Sequence, residues 1–273
     1  MKKSIVILPY CLLIILNSNS QKIADKNFFD ISIGPSFPVG DYNQKNLQNE
    51  QSGFAKTGQF VVISYGHKIG KYFGFGAMFY GQRNPIDTRS LGAEFSRTNF
   101  SMTVLFGSTT TPPPPPPPGA FTVYPNWEFE KSSWRMGSIL IGGYWDFPFQ
   151  NIKNLAFLTR AMFGIIYISS PMLQGNSITD TATARIDQNS VSGFGFSYLV
   201  RGELKYNLNR KINIHLSIDY LATNRITFHD LKTTFLTVKN ENGFPSVAQA
   251  IITRDGKQTI QSLNPGLGIG FSF

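Results

Sequence analysis

Residues 194–206 read Phe-Gly-Phe-Ser-Tyr-Leu-Val-Arg-Gly-Glu-Leu-Lys-Tyr, and residues 212–220 read Ile-Asn-Ile-His-Leu-Ser-Ile-Asp-Tyr. In both segments bulky apolar side chains recur at every second position, with Gly202 as the one gap on that face. Polar, charged and glycine residues fill most of the positions between them. This alternation predicts β-strands with one apolar and one polar face. The short, mostly polar segment 207–211 predicts a turn that joins them into an antiparallel hairpin.

The same alternation recurs along the rest of the chain. Four further segments carry it cleanly, near residues 29–34, 73–80, 157–167 and 266–273. Two others, at about 58–67 and 133–147, have apolar residues on both faces, so their orientation stays open. The sequence therefore predicts eight strands and an all-β fold.

The distribution of charge predicts which face of these strands meets lipid. In the six clean strands the apolar face holds no Lys, Arg, Asp or Glu, and the opposite, glycine-rich face carries the charges. A charged side chain that faces the bilayer midplane costs roughly 2–4 kcal/mol. A sheet with one face in water instead packs its apolar face on the core. We therefore expect the apolar faces to point outwards to lipid and the charged faces to line a barrel interior.

The connections between the strands alternate in length. The short ones lie near 68–71, 148–154 and 207–211, and the long ones near 38–57, 84–132, 171–192 and 226–258. Short periplasmic turns and long external loops are typical of transmembrane barrels. The prediction is an eight-stranded antiparallel up-and-down β-barrel in a bacterial outer membrane, with both termini in the periplasm.

The first twenty residues are predicted to be a secretory signal peptide, which leaves 21–273 as the barrel domain. Lys2 and Lys3 give a basic start, an apolar run covers Ile5–Leu16, and small residues precede a cleavage site at Gln21. The run is too short for a transmembrane helix, which needs about 20 apolar residues. The single cysteine, Cys11, lies in this segment, so the mature chain is expected to contain no disulfide.

Several motifs are similar to those of a known family. The run from Phe28 to Tyr42, FFDISIGPSFPVGDY, resembles the first strand and loop of the outer-membrane β-barrel domain common in Bacteroidetes, a small porin-like barrel of the OmpA/OmpX type. Ser133–Gly137 (SWRMG) and Thr159–Gly164 (TRAMFG) look like its middle strands. The resemblance implies an outer-membrane location and no catalytic residues. The long second loop, 84–132, departs from the family pattern.

The C-terminal strand resembles the signal by which assembly machinery recognises outer-membrane proteins. The segment contains Gly268, Ile269, Phe271 and Phe273 and finishes on an aromatic residue. This resemblance implies two partners. The barrel-assembly machinery would bind the chain during biogenesis, and outer-membrane lipid would surround it afterwards.

Six charged or titratable residues are predicted to face the barrel interior: Asp30, Arg160, Arg201, Glu203, His215 and Asp219. If the turn between the two quoted strands centres on Arg210, Arg201 lies opposite Asp219 and Lys205 lies opposite His215. Opposite charges at facing strand positions can pair. An eight-stranded interior is just wide enough to be filled by side chains. The residues form either a structural network that fills the lumen, or a small gated pore or proton path.

The long loop 84–132 contains the seven-proline run Pro112–Pro118. As a polyproline II helix at about 3.1 Å per residue, it would be a stiff rod of roughly 20 Å. The rod either holds an epitope away from the membrane or is a low-complexity insert without a partner. The alternating Phe100, Met102, Val104 and Phe106 before it form a loop hairpin or, alternatively, two extra strands of a ten-stranded barrel.

The chain is basic, with a formal net charge of +9. Many basic residues lie near the predicted short turns, for instance Lys68, Lys205 and Lys211. They are either solvated turn residues or contacts to anionic headgroups of the inner leaflet. This distribution is not a clustered basic surface with a reason to meet DNA or RNA, so nucleic-acid binding is not expected.

An enzymatic or metal site is not expected, and no cofactor is predicted. The three histidines are His67, His215 and His229, and no Cys, His or Asp cluster has metal-ligand spacing. His229 lies beside Asp230 at the rim of a long loop. A surface enzyme acting on lipid or peptide would need this histidine, whereas a solvated loop histidine is the simpler interpretation.

Three functions are compatible with the predicted barrel. The first is a non-enzymatic outer-membrane protein, structural or binding through external loops whose ligand or partner the sequence does not reveal. The second is a narrow pore for ions or small solutes, which needs a hydrated lumen. The third is the surface enzyme at His229. A soluble periplasmic ligand-binding barrel is the alternative at the level of fold.

Overall fold

The computed structural model describes residues 26–97, 126–152, 154–180, 182–241 and 244–273. The predicted signal peptide and the proline run lie outside these residues. The described strands are β1 (Asn27–Pro38), β2 (Gly58–Lys68), β3 (Phe73–Pro85), β4 (Glu128–Phe129), β5 (Ser133–Pro148), β6 (Leu155–Ser169), β7 (Leu173–Ile178), β8 (Ala182–Gln188), β9 (Ser192–Asn207), β10 (Ile212–Thr223), β11 (Ile226–Glu241), β12 (Phe244–Gln258) and β13 (Gln261–Ser272). One α-helix, α1 (Thr88–Arg97), and a 3-10 turn, Gly40–Asn43, complete the described elements. In this part of the chain, no helix has the length and apolarity to cross a membrane.

Eight of the strands close into a barrel, in the order β1-β13-β10-β9-β6-β5-β3-β2. All neighbouring pairs are antiparallel, and β13 closes the ring against β1 with Phe28 opposite Ser272. These are the eight segments that the alternation predicts, so the eight-stranded antiparallel barrel is confirmed. Closure by eight strands leaves no place in the wall for two more, so the ten-stranded alternative is wrong. The segment on which that alternative depended, Phe100–Phe106, lies outside the described residues.

Side chains in the wall alternate between the outside and the interior as predicted. Ile33, Phe163 and Phe194 on the outer face are 61%, 63% and 71% exposed, whereas Ser32 and Arg160 on the inner face are buried. Most of the charged side chains of the wall lie inside, where residues of other strands pair with them.

The two strands of open orientation, β2 and β5, carry apolar residues on both faces. In each strand one set of these residues points outwards and the other set is buried inside the barrel. In β2, Ile63 points outwards while Val62 points inwards. In β5, Ile141 points outwards while Leu140 and Trp134 point inwards. Their inward residues belong to the buried apolar cluster of the molecule.

One end of the barrel, here called the turn end, consists of tight connections and holds the described chain ends. The amide of Ile69 donates to the carbonyl of Phe73, and the amide of Leu208 donates to that of Ile212. Asn27 and Phe273 exchange backbone hydrogen bonds at the same end. The predicted short connections are therefore all at one end, and the long ones meet at the other, here called the loop end.

The described parts of the connections that the sequence predicts as long loops include a second sheet. Its strand order is β12-β11-β8-β7-β4, with a β-bulge in β11 at His229 and Asp230. The ring of Phe228 on β11 lies 5.9 Å from that of Trp134 on β5. This contact packs the loop sheet, defined as these five strands, onto the mouth of the barrel.

Candidate functional site: a charged layer in the barrel beneath the loop sheet

A layer of charged side chains occupies the middle of the barrel interior. It contains all six residues that the sequence singled out, namely Asp30, Arg160, Arg201, Glu203, His215 and Asp219, and each is at most 3% exposed. The strand register places them there because inward positions on β1, β6, β9 and β10 fall at the same height. Arg160 and Arg201 lie directly opposite each other, and Arg201 lies opposite Asp219. Lys205 lies opposite His215.

Arg160 spans the lumen. Its strand, β6, is diametrically opposite β1 in the ring, yet its Nη2 donates to Asp30 Oδ2 on β1 over 2.6 Å. The same nitrogen lies 3.1 Å from Glu203 Oε2, and Nη1 donates to the hydroxyl of Ser64. The Ser64 hydroxyl in turn donates to Asp30. A single arginine therefore links strands on opposite sides of the wall.

Arg201 holds the other half of the layer through a two-pronged pair with Asp219. Nε donates to Oδ1 over 2.6 Å and Nη2 donates to Oδ2 over 2.8 Å. Such planar, bidentate pairs are the strongest geometry of arginine and carboxylate. Nη1 of Arg201 lies 3.9 Å from both Asp30 and Glu203, which joins the two arginines into one network.

His215 completes the layer on the side of β10. Its Nε2 lies 2.8 Å from Ser32 Oγ, and its Nδ1 lies 3.7 Å from Glu203 Oε1. The layer therefore contains three carboxylates and two guanidinium groups, and His215 lies beside one of the carboxylates, that of Glu203. Ser32 and Ser64 are members of the network that the sequence interpretation missed. Ser32 could have been found from its position two residues after Asp30 on the same strand face, whereas Ser64 lies on β2, whose orientation the sequence leaves open.

Apolar side chains close the interior on the loop side of the charged layer. The rings of Phe60 and Tyr80 stack with centroids 5.6 Å apart, and Met78, Leu140 and Leu199 are buried around them. The inward apolar residues of β2 and β5 are thus the reason why those strands lacked a clean polar face.

A second polar layer lies beyond the apolar one, nearer the mouth. Gln82 donates from Nε2 to Asn84 Oδ1 over 2.7 Å, and Ser262 donates to Gln82 Oε1 over 3.1 Å. Asn264 donates to Ser262 Oγ, and all four side chains are buried. Together the charged, apolar and amide layers fill the barrel with side chains over most of its height.

The turn end carries a smaller cluster of ion pairs. Asp146 Oδ2 lies 3.2 Å from Lys205 Nζ and 3.6 Å from Lys68 Nζ. Phe28 packs nearby, with the guanidinium carbon of Arg160 5.0 Å from its ring centroid. Two of the basic residues near the short turns therefore pair within the barrel rather than pointing to a membrane surface.

The loop sheet is the largest feature outside the barrel wall. Its edge strand, β12, is exposed on consecutive residues, Val247, Ala248 and Gln249, so both of its faces are open there. Because β12 is at the end of the sheet, the polar backbone groups on its outer side have no strand partner in the described sheet. Open strand edges are sites at which other chains add a strand.

His229 lies in the bulge of this sheet and pairs with Asp255. Its Nδ1 is 3.0 Å from Asp255 Oδ2, and the two side chains are 72% and 52% exposed. Among the described residues, no group of three or more His, Cys, Asp and Glu residues has the geometry to hold a metal ion. The pair is therefore a solvated contact of the loop sheet.

The predicted assembly-signal residues lie at the turn end of β13. Ile269 and Phe271 face outwards, Gly268 faces the ring of His215 inside, and Phe273 bonds to Asn27. Ser272 also donates its amide to the carbonyl of Lys211. The last residues thus join β13 to both neighbouring strands.

No model of a known protein family matches the chain, and no curated protein matches it. Among solved structures it is similar to Neisserial surface protein A (NspA), at 8% identity and a TM-score of 0.42, covering 90% of this chain and 97% of that one. It is similar to a major outer membrane protein from Thermus thermophilus, at 11% identity and a TM-score of 0.43, covering 90% and 99%. It is also similar to Ail, the attachment invasion locus protein of Yersinia pestis, at 10% identity and a TM-score of 0.39, covering 92% and 100%. With TM-scores below 0.5, the fold assignment depends on the strand pairing above, and the Bacteroidetes-type resemblance stays a prediction.

Proposed function

We propose that this chain is a non-enzymatic protein of a bacterial outer membrane. Its barrel anchors the loop sheet outside the cell, where the sheet binds a partner or serves a structural role. The turn end and both termini lie in the periplasm.

The observation that carries this proposal is the band of exposed apolar side chains around the barrel. On β9 it extends from Leu204 to Phe194, with Tyr198 and Phe196 between them, all at least 42% exposed. A tilted strand of this length rises about 25 Å, from a rise of about 3.4 Å per residue and a tilt near 40°. That height matches the apolar band of outer-membrane barrels, about 25 Å. A water-soluble monomer rarely exposes an apolar patch of more than about 600 Å².

The filled interior favours an anchor over a pore. Arg201 and Asp219 are fully buried, and the Phe60–Tyr80 stack lies between them and the mouth. An ion that crossed the barrel would have to displace both layers. The loop sheet, in contrast, offers an open edge and the exposed apolar residues Val247 and Ile251.

The proposal is tested by site-specific labelling of cells that express the full chain. Because the single cysteine lies in the predicted signal peptide, Val247→Cys on the loop sheet and Leu208→Cys at the turn end are matched, exposed single-cysteine variants. A membrane-impermeant maleimide is expected to label Val247→Cys on intact cells, and Leu208→Cys only after the outer membrane is permeabilised.

Two results would contradict the proposal in different ways. Labelling in the reverse order would place the loop sheet in the periplasm. Recovery of both variants in the soluble periplasmic fraction without detergent would show that the barrel is not a membrane protein.

A further inference from the structure

Two arginines lie side by side on the outer wall of the barrel near the loop end. Arg83 on β3 and Arg135 on β5 are directly opposed in the register, and both are exposed. Directly opposed side chains have Cβ atoms about 5 Å apart, and like charges at such positions are destabilising. Gln59 and Ser169, which flank the pair on β2 and β6, carry no charge. Among the described residues, neither arginine forms an ion pair.

The side chain of Arg83 is held against the wall. Its Nε donates to Ser133 Oγ over 3.0 Å, and Ser133 is only 9% exposed. The bond uses the inner nitrogen of the guanidinium group, so the terminal amino groups stay available to an anion.

The wall directly below this pair, toward the turn end, has no side chains. The next outward pair is Gly81 opposite Gly137. A Cβ on Gly137 would meet no heavy atom within 4 Å, and one on Gly81 would meet only atoms of Val61. Neither glycine has a positive φ, so the backbone does not require glycine at these positions. Together they form a notch in the outer wall, here called the glycine notch.

Apolar side chains surround the glycine notch. Val61 and Tyr167 flank it on β2 and β6, and the pair Phe79 and Ile139 lies below it, 51% and 66% exposed. Two arginines with no ion-pair partner among the described residues therefore lie directly above an apolar notch. A lipid with an anionic headgroup is complementary to this arrangement, because its negative charge lies at the membrane surface and its hydrocarbon chains lie beneath it.

We propose that Arg83 and Arg135 bind the phosphate of an anionic lipid headgroup, and that the glycine notch receives the upper part of one of its acyl chains. Guanidinium groups recognise phosphate oxygens in pairs, in a planar geometry that a lysine does not offer. The proposal rests on the proposed function, because the outer wall must face a membrane.

The charge part of the proposal is tested with protein refolded into nanodiscs of phosphatidylcholine that contain a minority of phosphatidic acid. Native mass spectrometry counts the phosphatidic acid that stays bound. The wild type is expected to retain it selectively, and Arg83→Gln/Arg135→Gln to lose that selectivity by at least about tenfold, since a single lost charge-assisted bond is worth roughly that factor. Arg97→Gln/Arg185→Gln, which removes two exposed arginines away from the wall, is the charge-matched control and is expected to behave as wild type.

The notch is tested independently with Gly137→Leu, whose Cβ would meet no heavy atom within 4 Å and whose side chain would occupy the notch. This variant is expected to lower retention of phosphatidic acid, whereas the control Ala161→Leu, at an exposed outward position of the neighbouring strand β6, is expected to leave it unchanged. If Gly137→Leu retains phosphatidic acid fully, or inorganic phosphate alone binds as well and displaces the lipid, the arginines form a simple anion site and the lipid proposal is wrong.

Insertion is measured first, by sedimentation of the protein with phosphatidylcholine vesicles. Failure of the wild type to sediment with them would contradict the proposed function itself. An inserted wild type that shows no preference for phosphatidic acid would contradict the lipid site alone.

Discussion

Single residues decide whether the barrel interior holds together. Arg201 and Asp219 are completely buried and form a bidentate pair at 2.6 and 2.8 Å. Removing charge from water costs several kcal/mol per ion, and the attraction within the pair repays this cost only while both partners are present. Removing one partner of the pair is therefore expected to destabilise the fold more than removing both.

Replacing Arg201 with Met is expected to lower the free energy of unfolding by about 3–5 kcal/mol, because Asp219 is left as an unpaired buried charge. The double variant Arg201→Met/Asp219→Leu is expected to lose much less. Urea titration of protein folded in phosphatidylcholine vesicles measures both values. If the double variant is as unstable as the single one, the pair stabilises the barrel through the packing of its side chains rather than through compensation of their charges.

Helix α1 is capped at its first turn by Asp87. Asp87 precedes the helix, its Oδ1 accepts a hydrogen bond from the amide of Ser90, and its carbonyl accepts one from the amide of Leu91. Lys45 Nζ lies 2.6 Å from Asp87 Oδ2. Burial opposes the ionisation of Asp87, but the hydrogen bonds from Lys45 and Ser90 outweigh it and lower its pKa to about 2.

Because the pKa of Asp87 is lower in the folded protein than its ordinary value of 3.8, its ionised form stabilises this part of the fold. The contribution is complete above about pH 5 and is lost progressively as the pH falls through 3.8 toward 2. Asp87→Ala is expected to cost about 1 kcal/mol at neutral pH. Hydrogen exchange of the amides in α1 measures it, with a decrease in protection of roughly fivefold.

Asp87→Asn is the matched control for this cap. The amide keeps an oxygen acceptor for Ser90 but removes the charge, so protection of α1 is expected to decrease less and to become independent of pH between 2 and 4. Unchanged protection in Asp87→Ala would show that packing of Leu91 and Phe95, both buried, holds the helix without the cap.

At the scale of the whole molecule, closure by eight strands makes the interior narrow enough to be filled. The charged layer, the Phe60–Tyr80 stack and the layer of Gln82 and Asn84 follow one another toward the mouth. The loop sheet then packs on the mouth through Trp134. A filled interior of this kind favours an anchor for the loop sheet over a channel for solutes, in line with the proposed function.

The wild-type protein is accordingly expected to give no stable single-channel current in a planar bilayer. The physical reason is that the buried charged layer and the Phe60–Tyr80 stack occupy the lumen, so that a crossing ion would have to displace both. Insertion of the same sample is verified by protection of its barrel from protease. Reproducible current steps from inserted protein would favour the pore, with Arg160, Arg201 and Asp219 as the residues that set ion selectivity.

Much of the wall could be predicted because strand alternation is a local property. Successive side chains of a strand point to opposite faces, so the position of a residue in the alternation decides its side. Ile33 and Phe163 therefore point outwards, and Asp30 and Arg160 point inwards. The pairing of Arg201 with Asp219 followed from one short turn, since a hairpin turn sets the register of its two strands. The eight strands and the members of the charged layer were therefore accessible from the amino-acid sequence alone.

Only the tertiary structure decided the features that depend on distant segments. Phe60 and Leu140 are buried because closure of the ring creates an interior that they fill. The alternation within their own strands does not show which apolar face points inwards. The loop sheet joins β4, β8 and β11 across more than a hundred residues of sequence, and Arg83 meets Arg135 only because β3 pairs with β5 across the long second loop. Alternation depends on the backbone of one segment, whereas these contacts depend on which segments the closed barrel brings together.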